Sequence, residues 1–126
     1  MAQRGTVEKL SVPIIPITPS VCILPLIGEM DIFRTTILEK KVLEEINRLH
    51  FQILIMDLSG IVSMESNVIE HLIKTIRATS MMGCRTIITG LRPDVVRQLI
   101  SLGINFDKET KTFGTLQHAL NECLLI

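Results

Sequence analysis

A chain of 126 residues has room for one domain around one core, and with 47% apolar residues it falls in the globular range. Thirteen basic residues balance thirteen acidic ones, and there is no Trp, no Tyr and only four Phe, so a nucleic-acid binder's basic stripe and base-stacking platform are both lacking. No run reaches the roughly 18 to 20 apolar residues of a membrane helix, and Met1 to Lys9 lacks the apolar stretch of a secretory signal.

The sequence therefore reads as cytoplasmic, with no membrane or nucleic-acid partner. Its zero formal charge and mean hydropathy of +0.42 point instead to self-association, as a homodimer or larger assembly, or to a tight protein partner. Cys22, Cys84 and Cys123 sit beside apolar neighbours and read as small buried hydrophobes. No Cys or His pair has metal-ligand spacing, so neither a metal nor another cofactor is expected.

Residues 1–12 read as a polar lead-in or linker remnant, and residues 13–126 as the domain. Pro13 to Ile17 and Val21 to Ile27, joined by Thr18-Pro19-Ser20, predict a hairpin. The prolines put its first strand at a sheet edge. Asp31 is placed to cap a helix over residues 31–49, whose apolar positions are Phe33, Ile37, Leu38, Val42, Leu43, Ile46 and Leu49. Phe51 to Leu58 is almost continuously apolar and predicts a strand buried on both faces, ended by a turn at Ser59-Gly60.

A second helix is predicted from Ser66 to Met81, stopped by Gly83. A strand over Thr86 to Thr89 follows. Pro93 then opens a third helix with Val95, Val96, Leu99 and Ile100 as its buried stripe, ended by Gly103. A strand over Thr110 to Phe113 and a helix from Thr115 to Leu124 complete the order ββαβαβαβα. This is an α/β fold: a mixed sheet of about five strands with four helices.

Functional loops of such sheets lie beyond the carboxyl ends of the parallel strands. Residues 57–67 fill one of these loops with two acids and three serines, and Gly90 to Asp94 form another. Catalysis finds little support there. There is no GxGxxG, P-loop or GxSxG elbow, and His71 lies five residues beyond Ser66, more than one helical turn away. The chain is expected not to be an enzyme. Ser63 or Ser66 could serve as a helix cap. Alternatively, a phosphoserine at the helix start, bringing about −1.5 to −2 charges, would suit the dipole and the free N–H groups and would expel a partner.

The segment Ile-Met-Asp-Leu-Ser-Gly-Ile-Val-Ser-Met-Glu-Ser-Asn-Val-Ile-Glu-His-Leu-Ile-Lys-Thr, from Ile55 to Thr75, resembles the signature of STAS domains (sulfate transporter and anti-sigma factor antagonist). Met82-Gly83-Cys84-Arg85-Thr86-Ile87-Ile88-Thr89-Gly90-Leu91-Arg92-Pro93 is similar to a stretch of the stressosome branch. So is Pro13 to Ile17 followed by Leu24-Pro25-Leu26-Ile27-Gly28. The likeness covers about residues 10–122 and is nearest to RsbR-type carboxy-terminal domains, or to a stand-alone partner such as RsbS.

The resemblance implies the STAS fold and a cytoplasmic bacterial stress-response complex in which these domains bind sister STAS proteins and an RsbT-type switch serine/threonine kinase. It implies phosphorylation at Ser66, with Ser59, Gly60, Ser63, Met64, Glu65, Asn67 and Arg92 forming the partner-binding surface. Two departures stand out. Glu65 replaces the family's common Asp, and Ile32 occupies the place of a second phospho-acceptor, with Thr35 and Thr36 nearby but out of register. The alternatives are the cytoplasmic STAS domain of an anion transporter, or a small-molecule or nucleotide binder using the helix starts at Ser66 and Pro93. Met64, Met81 and Met82 are candidates for an adaptable contact surface, although a methionine at helical spacing more often belongs to the core.

Overall fold

The computed structural model describes residues 12–62, 64–101 and 110–124. Ser63, Gly103 and the Cys123 side chain lie outside this description. The elements are β1 (Ile15–Pro16), β2 (Val21–Gly28), α1 (Ile32–Leu49), β3 (Ile53–Ile61), α2 (Ser66–Met81), β4 (Arg85–Thr89), α3 (Pro93–Ser101), β5 (Thr110–Phe113) and α4 (Leu116–Leu124). The strands lie side by side in chain order, with β1 antiparallel to β2 and every later pair parallel. This is the expected mixed α/β sheet.

That order settles the layering. Each helical crossover advances one strand in the same direction, and right-handed crossovers then stack on one face. Leu54, Met56 and Leu58 of β3 meet Leu38, Val42 and Ile46 of α1, Val68, Ile69 and Leu72 of α2, and Val95 and Leu99 of α3. Ile55 points the other way and packs with Val21, Ile23, Ile87 and Ala119 of α4. A strand covered on both faces needs apolar residues at every position, which is why β3 reads without alternation.

Local signals fix most boundaries. Thr18 Oγ1 accepts from the N–H groups of Ser20 and Val21, both at 3.1 Å, and closes the hairpin turn. Asp31 caps α1 by accepting from the Arg34 N–H at 2.8 Å. Gly83, at φ +84°, ends α2, where Gly83 N–H and Cys84 N–H reach back to the carbonyls of Ser80 and Thr79 at 3.0 Å.

β1 is shorter than residues 13–17, because prolines on either side of Ile14 and Ile15 remove ladder donors; it sits at the edge, as expected. Ser59-Gly60 is not a turn. β3 continues to Ile61 through a bulge, with Pro25 opposite Asp57 but Ile27 opposite Gly60. A Cβ on Gly60 would come within 3.1 Å of the Leu26 carbonyl oxygen, so the bulge relies on a bare backbone there.

The helical stripes are also narrower than the apolar spacing suggests. Phe33 and Leu49 are exposed, while Thr35 is buried and donates its hydroxyl to the Asp31 carbonyl, which lets a polar residue take a core position. On α3 only Val95 and Leu99 are buried, and Ile100 is 69% exposed, because this helix meets the core along one edge.

Leu54 lies fully buried in the central strand. Leu54→Ala is expected to cost about 2–5 kcal/mol of stability with an unchanged denaturant slope, measured by urea unfolding.

Candidate functional site

The site begins near the carboxyl end of β3. By alternation Asp57 shares the face of Ile53 and Ile55, and there its carboxylate acts as a clamp. Oδ2 accepts from the Ser59 hydroxyl and Oδ1 from the buried Thr89 hydroxyl, each at 2.7 Å. The ends of β3 and β4 are thereby joined through side chains as well as through the ladder. Gly90, at φ +72°, presses its backbone against Ser59, and a Cβ there would lie 2.7 Å from the Ser59 nitrogen.

Beyond Ile61 the chain must turn from sheet to helix. Val62 faces outward, whereas the Met64 side chain is only 5% exposed and joins the core of α2 and α3. Gln98 Nε2 of α3 donates to the Met64 carbonyl at 2.5 Å. The segment is thus held by its side chain below and its main chain at the flank. Met64 does not offer the contact surface expected of it, because its thioether fills the core. Met81 and Met82 are exposed, but at the opposite end of α2.

α2 then starts at Ser66. The capping residue is Glu65, with extended backbone and no side-chain cap bond, and its carbonyl accepts from Val68 and Ile69 N–H at 3.0 and 3.1 Å. Ser66 does not fill the cap position, being one place further on; Ser63 lies outside the described residues. The Ser66 side chain is exposed at the first helical position, beside exposed Glu65 and Asn67. Here an added negative group would meet the free N–H groups and positive dipole end of a 16-residue helix.

Of the other expected residues, Ser59 is exposed with its hydroxyl engaged by Asp57, Gly60 is half-buried in the bulge, and Arg92 is exposed just ahead of α3. Thr89 and Gln98, which bond across 32 and 34 residues, are not evident from the sequence. Nor is Arg34, which fixes the loop after β2 by donating to the carbonyls of Ile27, at 3.1 Å, and Glu29. Their partners are distant or are backbone carbonyls, so local pattern carries no signal for them. At the same end of the sheet, Ile27, Val62, Phe33 and Ile32 expose apolar surface.

Thr35 is no candidate for a second acceptor in this fold, being fully buried and bonded to Asp31. Thr36 is exposed and donates to the Ile32 carbonyl at 2.8 Å. His71 faces Glu39 of α1 at 3.3 Å, where Thr75 also donates to Glu39, so the imidazole links two helices. Among the described residues no three His, Cys, Asp or Glu side chains gather to hold a metal ion, and no helix is long and apolar enough to cross a membrane.

The family model described as STAS domain matches residues 12–119, and the chain belongs to the STAS domain family. Among curated relatives, the RsbT co-antagonist protein RsbRD of Bacillus subtilis (strain 168) is 37% identical over 119 residues, covering 94% of this chain and 42% of the relative. The chain spans about two fifths of the length of the RsbR relatives it matches. Among solved structures, a single-residue variant of RsbS of Moorella thermoacetica superposes with a TM-score of 0.75 at 20% identity, covering 91% of this chain and 98% of the other. A chain of the stressosome, described as a signal integration and transduction hub, gives 0.73 at 20% identity, covering 90% and 96%. The murine Solute Carrier 26 family member A9 anion transporter gives 0.72 at 14% identity, covering 99% of this chain and 24% of the transporter. At such identities the structural likeness establishes the fold. The sequence relatives include four RsbT co-antagonist proteins of Bacillus subtilis and two Listeria blue-light photoreceptors, the latter 35% and 34% identical over 90% of this chain.

Two glycines distinguish backbone strain from contact. Gly83→Ala has open space and is expected to cost about 1 kcal/mol through φ alone, whereas Gly90→Ala adds a backbone clash and should cost at least about 3 kcal/mol, both by thermal unfolding. The cysteines give a second test. Burial, with a smaller contribution from Cys22, pushes the Cys84 thiol up to about 12. At pH 8 only about one Cys84 in ten thousand is thiolate, so it should resist a disulfide reagent when folded and react promptly in urea.

Proposed function

We propose that this chain is a non-catalytic, phosphorylation-regulated protein-binding domain of a stressosome-type complex. Its partners are sister STAS proteins, in a homodimer or larger assembly in the cytoplasm, and an RsbT-type switch kinase that phosphorylates Ser66 and is then released. The observation that carries this reading is the state of Ser66: exposed, at the first position of α2, with Glu65 and not Ser66 in the cap position. A hydroxyl needed as a cap could not be modified without destabilising the helix. This one is not so used.

Phosphate at this position would bring about −1.5 to −2 charges to a helix start that favours them. The strain on the fold would be small. The effect on a partner would be large, because the neighbouring surface combines exposed apolar side chains with the carboxylate of Glu65. Ser59, Gly60, Asn67 and Arg92 belong to that contact surface, and Met64 supports it from beneath. The likeness to RsbRD at 37% identity favours this setting.

A second reading, as the cytoplasmic STAS domain of an anion transporter, has the shared fold in its favour. The 14% identity of that match argues the fold alone. A membrane-spanning segment elsewhere in the same gene would decide for it.

Incubation with an RsbT-type kinase and ATP, followed by phosphopeptide mapping, should place phosphate on Ser66 and leave Ser66→Ala unmodified. Phosphate found only outside residues 61–67, or a Ser66→Ala protein that is modified and releases the kinase normally, would contradict the proposal.

A further inference from the structure

Gln98 is an unusual residue for its position. It lies between Val95 and Leu99, the two buried side chains of α3, and one atom of its amide is committed to a loop 34 residues away. That bond goes to the carbonyl of Met64, two residues before Ser66. A carbonyl can only accept, so the contact at 2.5 Å fixes the Gln98 amide nitrogen as its donor. The other amide atom, Oε1, is buried and has no hydrogen-bond partner among the described residues.

A side chain kept there for packing alone would be better served by Leu or Met, which bury no unpaired carbonyl. The loop explains the glutamine. Met64 is anchored below by its own side chain, which does not by itself fix the orientation of the peptide that follows it. Gln98 removes this freedom by holding the Met64 oxygen. The step from Met64 to Ser66 spans at most about 7 Å of chain, so the orientation of this peptide passes directly to the acceptor hydroxyl.

We propose that Gln98 is a positioning residue for the modification of Ser66: its hydrogen bond to the Met64 carbonyl holds residues 64–66 in the form that a kinase engages. This rests on the reading of Ser66 as phospho-acceptor. Without the donor, the segment populates several conformations, and the apparent affinity of the kinase falls by the fraction that remains competent. Once bound, the segment is held by the kinase, so the phosphoryl-transfer step changes little. The signature is a rise in KM at nearly constant kcat.

The test compares the wild-type protein, Gln98→Met and Gln98→Lys as substrates of an RsbT-type kinase with ATP, alongside deuterium uptake across residues 62–68. Gln98→Met keeps length and volume and loses the donor. It should raise KM about tenfold, with kcat within about twofold, and increase uptake in that segment. Gln98→Lys restores a donor and should recover most of both effects. If Gln98→Met folds poorly, Gln98→Ala supplies the second donor-free side chain at lower temperature. Unchanged KM and uptake in the donor-free variants, or an equal defect in Gln98→Lys, would overturn the proposal. If the wild-type protein takes no phosphate on Ser66, the functional reading fails first and this role fails with it. A wild-type protein modified on Ser66 beside an unaffected Gln98→Met overturns the role of Gln98 alone.

Discussion

One carboxylate holds the working end of this domain together. Asp57 sits in the central strand, and it accepts a hydroxyl from its own strand and another from the next. Without it, the buried Thr89 hydroxyl would lose its partner, at a cost of about 1–3 kcal/mol. Ser59 would also be released from the bulge that leads into the loop. The bulge, the Gly90 contact and the direction of the chain towards α2 all build on this junction. The result is a loop with fixed ends: Asp57 and Ser59 at one, Met64 and Gln98 at the other.

That rigidity gives the proposed switch its physical logic. A phosphoryl group acts on a partner through charge and desolvation only if its position is defined. Ser66 is defined by the first turn of α2, whose inner face is locked into the core by Val68, Ile69 and Leu72. The surrounding surface carries exposed Ile27, Val62 and Phe33, which suit an apolar contact in the unmodified state. A dianion placed among them alters the contact without requiring the domain itself to move. Regulation of this kind needs no second conformation of the fold.

The fold was legible because its signals are local or periodic. Alternation fails in β3 for a reason that can be read directly: both faces are covered. Asp31, Pro93 and Gly83 mark helix ends through short-range chemistry. What escaped depends on distant partners. Thr35 counts as polar in any pattern, yet it occupies a core site because its hydroxyl turns back to the Asp31 carbonyl. Ser59-Gly60 carries the composition of a turn, but Pro25 on the neighbouring strand sets a bulge in its place. Met64 could be read as an adaptable surface residue or as core, and it lies in the core, where α3 packs against it. The resemblance to STAS domains pointed to Ser66, whereas its supports, Thr89, Gly90 and Gln98, emerge only when the strands are side by side.

Control of a protein contact by phosphate on Ser66, at this end of the sheet, is open to direct measurement. Calorimetric titration of an RsbT-type kinase into the unmodified protein and into the protein phosphorylated on Ser66 supplies it. Measurable binding to the unmodified form is expected, with at least about tenfold weaker binding to the phosphorylated one, a difference of about 1.4 kcal/mol. Equal affinity for the two forms would contradict the proposed switch.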